Sequence, residues 1–404
     1  MSRARLQLGP FTSLARFQDD KPTKGSWLPC LAALIGIGIK PQATNHKPHL
    51  LTLAAVGDIM LDRYVGRAID RNGANYPLGK VRGALRQSDL VIANLECPLT
   101  SHPKELIKHF PFRVPPDRVG ALRGIDIVSV ANNHTLDCGS DGLVETLRTL
   151  DKAGIQPLGA GLDPWKPVIV SKNGLRIAFF ALSDFPEREP ISPRTPGSAK
   201  SGPPPAPGEV WGGNAQPDVA FPKTSTPQRL AASPVAYYNA SKMKAAILAA
   251  GKDADVIVVF AHWGVEGDSS PSDRQRREAK ELAADGADLI LGAHPHVLQP
   301  VEHIGKTVVA YSLGDFVFDT TKPKEAKTAI FRFTLTKKGV ESFELVPCRI
   351  RHARPEPGSS NAKRHLQHSN TPILHPHLPA APAPSTLGST APNRNPVFGS
   401  IMIA

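Results

Sequence analysis

The sequence predicts a layered α/β fold with a mixed sheet core, and three observations carry that expectation. Short apolar runs recur between residues 51 and 348, each ended by Gly, Asn or His, as buried parallel strands are. Helical stretches separate them, the alternation that builds a parallel sheet covered by helices. Two other pairs of apolar runs are joined by tight-turn dipeptides, which adds antiparallel hairpins.

In chain order, Leu51–Val56 is the first strand, stopped by Gly57, and Asp89–Ala93 and Ile125–Val130 repeat its pattern. Ser140–Ala153 reads as a helix. Val168–Val170 then meets Arg176–Leu182 across Asn173-Gly174. Ser241–Ala250 and Ser272–Ala284 are helical, and the strands Asp255–Ala261 and Asp288–Leu291 follow each in turn. Val301–Ile304 pairs with Thr307–Ser312 across Gly305-Lys306, and Ala329–Leu335 with Ser342–Pro347 as a terminal antiparallel pair.

This body, 51–350, is flanked and interrupted by segments of another composition. Residues 186–234 carry a dozen prolines with Gly, Ser and Thr, and 351–404 repeat Pro, His, Ser and Ala without apolar period. Neither buries enough to offset the entropy of ordering, so the first is expected to be a long insertion loop and the second a disordered tail. Residues 1–50 form a basic leader: Arg3, Arg5, Arg16, Lys21 and Lys24 precede the 13-residue apolar run Trp27–Ile39, then Pro41-Gln42-Ala43. The order resembles a secretory signal peptide, and a run of that length is too short for a spanning helix. The expectation is an exported protein of the cell envelope, with the leader cleaved or kept as an anchor.

The chain has 404 residues and a formal net charge of +12, from 48 Lys+Arg against 36 Asp+Glu. Most of that excess sits in the two terminal arms, and no zinc-finger spacing, basic helix stripe or aromatic RNA-binding motif accompanies it. Nucleic acid is therefore set aside as a partner, and a pull toward polyanions or anionic lipid is the better use of the charge. Cys30, Cys97, Cys138 and Cys348 have no CxxC spacing and indicate neither a zinc ribbon nor a disulfide framework.

The chemistry collects at the strand ends, where ligands gather in α/β sheets. The first strand runs into Gly57-Asp58, the second into Asn94-Leu95-Glu96 and the third into Asn132-Asn133-His134. Later strands run into His262-Trp263-Gly264 and into His294-Pro295-His296. Alone, Asp58 is compatible with a helix cap, and Asn132 or Asn133 with a left-handed turn. Five consecutive termini each delivering a carboxylate, carboxamide or imidazole point instead to a metal site. Mixed oxygen and nitrogen donors without thiolate suit one or two divalent ions of Mn, Fe or Zn. His134 directly follows Asn133, so one can ligate while the other faces substrate as a proton donor.

Taken in order, Gly57-Asp58, Asn94-Leu95-Glu96, Ala131-Asn132-Asn133-His134 with Asp137 and Gly139, His262-Trp263-Gly264, His294-Pro295-His296 and Tyr311–Asp319 resemble the CapA family of capsule and poly-γ-glutamate synthesis proteins. The resemblance covers about residues 51–348. It implies a four-layer α/β/β/α sandwich with mixed sheets, similar to calcineurin-like metallophosphoesterases. It implies Asp58, Glu96, Asn133, His262, His294 and His296 as metal ligands and His134 as the catalytic acid. Arg63, Asn94, Asn132 and Arg113 would lie near the substrate. The implied substrate is an anionic envelope polymer, poly-γ-glutamate or capsule, handled beside a membrane-bound synthesis or export complex.

The sequence also departs from the pattern. Dimetal phosphoesterases begin with Asp-x-His, whereas Met60 stands where that His would be, and Asn94-Leu95-Glu96 replaces their Gly-Asp motif. Asp315 occupies a position where relatives often carry Asn, and so adds a ligand or pairs with a basic neighbour. Three functions follow as expectations: a metal-dependent hydrolase or transferase on the polymer, a non-catalytic polymer-binding or export component, and a generic metal-dependent phosphoesterase.

Overall fold

The structure is a computed structural model and describes residues 50–105, 110–185, 234–358 and 364–367. The expected leader, nearly all of the Pro-rich segment and the tail beyond Gln367 lie outside the described residues. Among the described residues no helix is long and apolar enough to cross a membrane.

Two sheets form the centre. The first runs β14 (Arg354–Pro357), β13 (Gly339–Arg351), β12 (Lys327–Thr336), β1 (Leu51–Ile59), β2 (Leu90–Leu95), β3 (Ile127–Ser129), β4 (Gln156–Leu158). In addition β11 (Asp315–Val317) pairs with β1, and β15 (Arg364–Gln367) with β13. The second sheet runs β5 (Val168–Lys172), β6 (Leu175–Ser183), β7 (Val256–His262), β8 (Leu289–Ala293), β10 (Thr307–Ala310), β9 (Val301–Ile304). Both are mixed: β1, β2, β3 and β4 are parallel, as are β6, β7, β8 and β10, while β12 and the hairpin strands β5 and β9 run antiparallel.

Three hydrophobic layers show how the elements stack. In β1, Leu51, Leu53 and Ala55 face one cluster and Ala54 and Val56 another, the period-two division of a strand buried on both faces. The middle cluster joins β1, β2 and β12 to Ile177, Phe179, Val258, Phe260 and Leu291 of the second sheet. On the far side of the first sheet, Val65 and Ile69 of α1 (Arg63–Asn72) and Leu150 of α3 (Gly139–Lys152) complete one outer layer; a short turn, α2 (Arg82–Leu85), adds Leu85. On the far side of the second, Met243 and Ile247 of α4 (Ala240–Ala250) and Ala279 and Leu282 of α5 (Asp273–Asp285) complete the other. Three apolar interfaces between four layers make the α/β/β/α sandwich that the family resemblance implies.

The expected hairpins form. Asn173 and Gly174 take φ of 52° and 76°, the pair of positive values a two-residue turn between twisted strands requires. The expectation of a disordered tail from residue 351 is corrected at its start. His352 and Ala353 turn at φ of 50° and 62°, and β14 then pairs back on β13. Pro355 and Pro357 are tolerated there because β14 lies at the sheet edge, where no neighbour needs their missing N–H. A four-residue edge strand with two prolines has the composition of a loop, which is why its pattern was not legible.

Candidate metal centre

The first and second sheets bring their parallel strands to a common end, and the side chains there are buried although polar. Asp58, Asn94, Glu96 and His262 are fully buried, and Asn132, His134 and His294 nearly so. The strands run one to three residues further than their apolar runs, so Asp58, Asn94 and His262 lie within β1, β2 and β7. That places them on pleated backbone with a fixed direction and not on a free loop.

Asp58 is set by a close pass of the chain. Its N–H donates to Gly314 O at 2.9 Å, and a Cβ on Gly57 would come within 1.7 Å of that same oxygen. Only glycine lets β1 lie so near the segment entering β11. In register beside Asp58 stands Asp315, on the neighbouring parallel strand. His294 and His296 follow β8 with φ of 95° and 57°, left-handed backbone that is rare for such residues and concentrates at functional sites.

Glu96 is central. Its Oε1 lies 3.7 Å from Nε2 of His262, 3.8 Å from that of His134 and 3.9 Å from that of His296. His262 Nε2 is 2.9 Å from Asn133 Oδ1, and His296 Nδ1 is 2.8 Å from Asp315 Oδ1 and 3.4 Å from Asp58 Oδ2. Two sets, Glu96 with His294 and His296, and Asp58 with His296 and Asp315, each hold their donor atoms within 4.8 Å of one another.

These residues fit a divalent cation. Among the described residues the ion pairs of Asp58 and Asp315 are with His296 alone, although both carboxylates are buried. Asp315 Oδ2 and His294 Nδ1 are buried with no hydrogen-bond partner among the described residues. Burying a carboxylate is costly without a paired charge, and an orphaned buried acceptor forfeits about 1–3 kcal/mol. A cation between the carboxylates and imidazoles would supply both.

Electrostatics follows the same burial. Desolvation lowers His294 to about 3, with the charges of His296 and His134 adding to it. Desolvation raises Asp315 to about 7, partly offset by His296. Burial also opposes the charge on His296, but Glu96 and Asp315 outweigh it and hold the group well above the usual imidazole range.

His134 is built differently. Its Nδ1 lies 2.8 Å from Asp137 Oδ2, which also accepts the N–H of Phe112 at 2.6 Å, and the Phe112 ring stacks on the imidazole at 4.1 Å between centroids. The ring is thus fixed in plane and tilt, with Nε2 directed at Glu96. Asp137 carries this arrangement and was given no role by the sequence; its spacing three residues after His134 was the available signal.

The structure brings all six expected ligands and His134 together. Asn94 and Asn132, expected near the substrate, are tied into the cluster by their hydrogen bonds. Asn94 Nδ2 donates to Asp58 Oδ1 at 2.8 Å and lies 3.2 Å from His262 Nδ1, while its Oδ1 accepts from Asn132 Nδ2 at 3.2 Å. Asn132 also donates to Leu95 O at 2.9 Å and accepts the N–H of His134 at 3.0 Å. Buried amides so committed hold ligands and leave little capacity for a substrate.

Arg63 stands at the rim, its guanidinium 5.0 Å from the Phe112 ring and 5.7 Å from Phe318, with Asp319 as its ion-pair partner. Phe318 in turn packs 5.1 Å from His296. Arg63 itself has φ of 50°, capped by Asp62 Oδ1. Arg113 is exposed and, among the described residues, makes no hydrogen bond or ion pair with the cluster; its N–H donates to Asp62 Oδ2 at 3.0 Å. Phe185, also unforeseen, packs 4.2 Å from His294 and 5.7 Å from His262.

Comparison with known proteins gives the family of the chain. The PGA biosynthesis protein CapA of Bacillus subtilis is 32% identical over 325 residues, 78% of this chain and 76% of the relative. The capsule biosynthesis protein CapA of Bacillus anthracis is 31% identical over 320 residues, 77% and 70% of the two chains. A probable polyglutamine synthesis accessory protein of Mycobacterium tuberculosis is 27% identical over 250 residues, 60% of each. Residues 52–320 match the family described as "Bacterial capsule synthesis protein PGA_cap", which spans all the predicted ligands, and the chain belongs to that family.

Proposed function

We propose that this protein serves capsule or poly-γ-glutamate synthesis as a metal-dependent hydrolase or transferase of the phosphoesterase type, acting on an anionic envelope polymer. The observation that carries the reading is the convergence of Asp58, Glu96, Asn133, His262, His294 and His296 from five chain segments on one buried cluster beside an oriented His134. When bound, one or two ions of Mn, Fe or Zn supply Lewis-acid polarisation of the scissile group and make water acidic enough to attack near neutral pH.

The chain's own residues do the rest. Asp137 and Phe112 hold His134 so that a proton is exchanged at Nε2, on the side of the cluster where the leaving group would lie. Asn94 and Asn132 keep Asp58 and the His134 loop in place. Arg63 offers a guanidinium at the rim, suited to a carboxylate or phosphate of the polymer, and Arg113 is the second candidate for that contact. The basic leader, with its apolar run, supports export and a site of action at the envelope next to a membrane-bound synthesis complex.

A non-catalytic reading, in which the fold binds polymer within an export complex, is favoured by one observation. Met60 is buried in the outer apolar cluster, so β1 contributes no imidazole beside Asp58. The test compares metal content and polymer cleavage in the wild type and in an Asp58→Ala/His294→Ala variant. Metal bound at about stoichiometric level with multiple turnover, both lost in the variant, is the expected result. Unchanged metal and unchanged processing in the variant would sink it, and saturable binding that fades above ~0.15 M salt without turnover would favour the binding role. Activity on generic phosphoesters but not on polymer would favour a plain phosphoesterase.

A further inference from the structure

We propose that Asp315 is itself a metal ligand and that it divides the centre into two unlike halves, an oxygen-rich one for a hard cation such as Mn²⁺ or Mg²⁺ and a nitrogen-rich one for Zn²⁺ or Fe²⁺. The proposal deepens the metal-centre reading and rests on it.

The oxygen-rich half is Asp58, Asp315 and His296. His296 Nδ1 lies 2.8 Å from Asp315 Oδ1 and 3.4 Å from Asp58 Oδ2. Donors that bind one cation at about 2.1 Å in neighbouring positions are separated by roughly 3.0–3.4 Å, which these spacings bracket. The nitrogen-rich half takes His262, His294 and Asn133, with His262 Nε2 2.9 Å from Asn133 Oδ1 and the His262 and His294 ring centroids 4.9 Å apart, while His294 also keeps its donor atom within 4.8 Å of those of Glu96 and His296. Glu96 stands between, 3.7 Å from His262 and 3.9 Å from His296.

Backbone pairing puts Asp315 there. Asp58 and Asp315 are direct partners on adjacent parallel strands, two buried carboxylates side by side. Like charges so placed repel, and removal from water aggravates the cost unless a cation joins them. An orienting partner of His296 needs one carboxylate oxygen, yet the second oxygen of Asp315 is also buried and has no hydrogen-bond partner among the described residues. Position 60, two residues beyond Asp58, is spent on the apolar core by Met60, so β11 replaces with a carboxylate the donor that β1 does not provide. Carboxylate-rich sets suit Mn²⁺ and Mg²⁺, while imidazole suits Zn²⁺ and Fe²⁺.

The test strips the full chain with a chelator, then reloads it with one equivalent of Zn²⁺ in excess Mn²⁺ and counts both metals after washing. One ion of each per chain is expected. Asp315→Asn should keep zinc and lose manganese, with Mn²⁺ affinity falling by more than about 100-fold, beyond the ~10–100-fold that a merely orienting neighbour costs. A smaller loss overturns the proposal. Should the variant fail to fold, pulsed EPR of Mn²⁺ in the wild type decides: one coordinated imidazole nitrogen is expected, and none or several overturns the assignment. A wild type that binds no metal at all removes the metal-centre reading itself, an outcome distinct from two ions of one kind, which defeats only the division.

Discussion

Asp137 shows how much a single buried carboxylate holds in place. It accepts from Phe112 N–H and sits against His134 Nδ1, so Asp137→Ala strands a backbone donor and frees the ring. The expected cost is about 1–3 kcal/mol of stability, measured by denaturant unfolding, with polymer turnover falling while metal content stays at the wild-type level. Loss of metal with turnover would mean that Asp137 supports the ligands and not the acid. His294 gives a prediction in pH. Burial holds its folded pKa at about 3, below the ordinary 6.5, so the unfolded chain takes up this proton first. The stabilisation is complete above about 6.5 and is lost as pH falls toward about 3. Asp315, raised to about 7, acts in the opposite sense, so the readout is a difference between proteins. Metal-free wild type should lose stability on acidification more steeply than His294→Asn, by up to about 1.4 kcal/mol per pH unit. Parallel curves would contradict this account.

Among the elements, β1 decides where the site lies, because it pairs with β2, β11 and β12 and carries Asp58 through the crossing at Gly314. Gly57→Ala would set a methyl group against the Gly314 carbonyl, with no flexible side chain to yield. A destabilisation of about 2 kcal/mol or more is expected, together with weaker metal binding, since the Asp58 and Asp315 pairing must open. Normal melting and normal metal content in Gly57→Ala would show that the crossing has slack. The remaining elements behave as their sequences indicate. Ser272 caps α5 by accepting from Gln275 N–H, and Gln275 returns the bond to Ser272 N–H, the reciprocal box that a Ser-x-x-Gln start offers. Two of the elements that the sequence left unread are short: β4 and β11 have three residues each, too few for any period to register. Helix α1 begins at Asp62 and Arg63, whose polar character hid a buried face of Val65, Ala68 and Ile69.

For the molecule as a whole, the proposed metal centre would tie stability to a bound cation through its buried carboxylates. Chelation should lower the melting temperature, and readdition should restore it. A free metal concentration 100 times the dissociation constant corresponds to about 2.7 kcal/mol, read by thermal unfolding with and without added metal. Insensitivity to chelator, with elemental analysis showing the metal removed, would mean that the ligand cluster is stable by itself. The sequence by itself determined the alternation of strands and helices, the period-two and continuous apolar runs, and the donor types waiting at five strand ends, because each of these is a local pattern along the chain. It did not determine that Asp315 stands beside Asp58, that Asp137 grips His134, or that Asn94 and Asn132 turn inward to hold other side chains. Those facts depend on strand register and on loops brought from positions up to 257 residues apart, as Asp58 and Asp315 are, and only the packing of two sheets against each other fixes such distances.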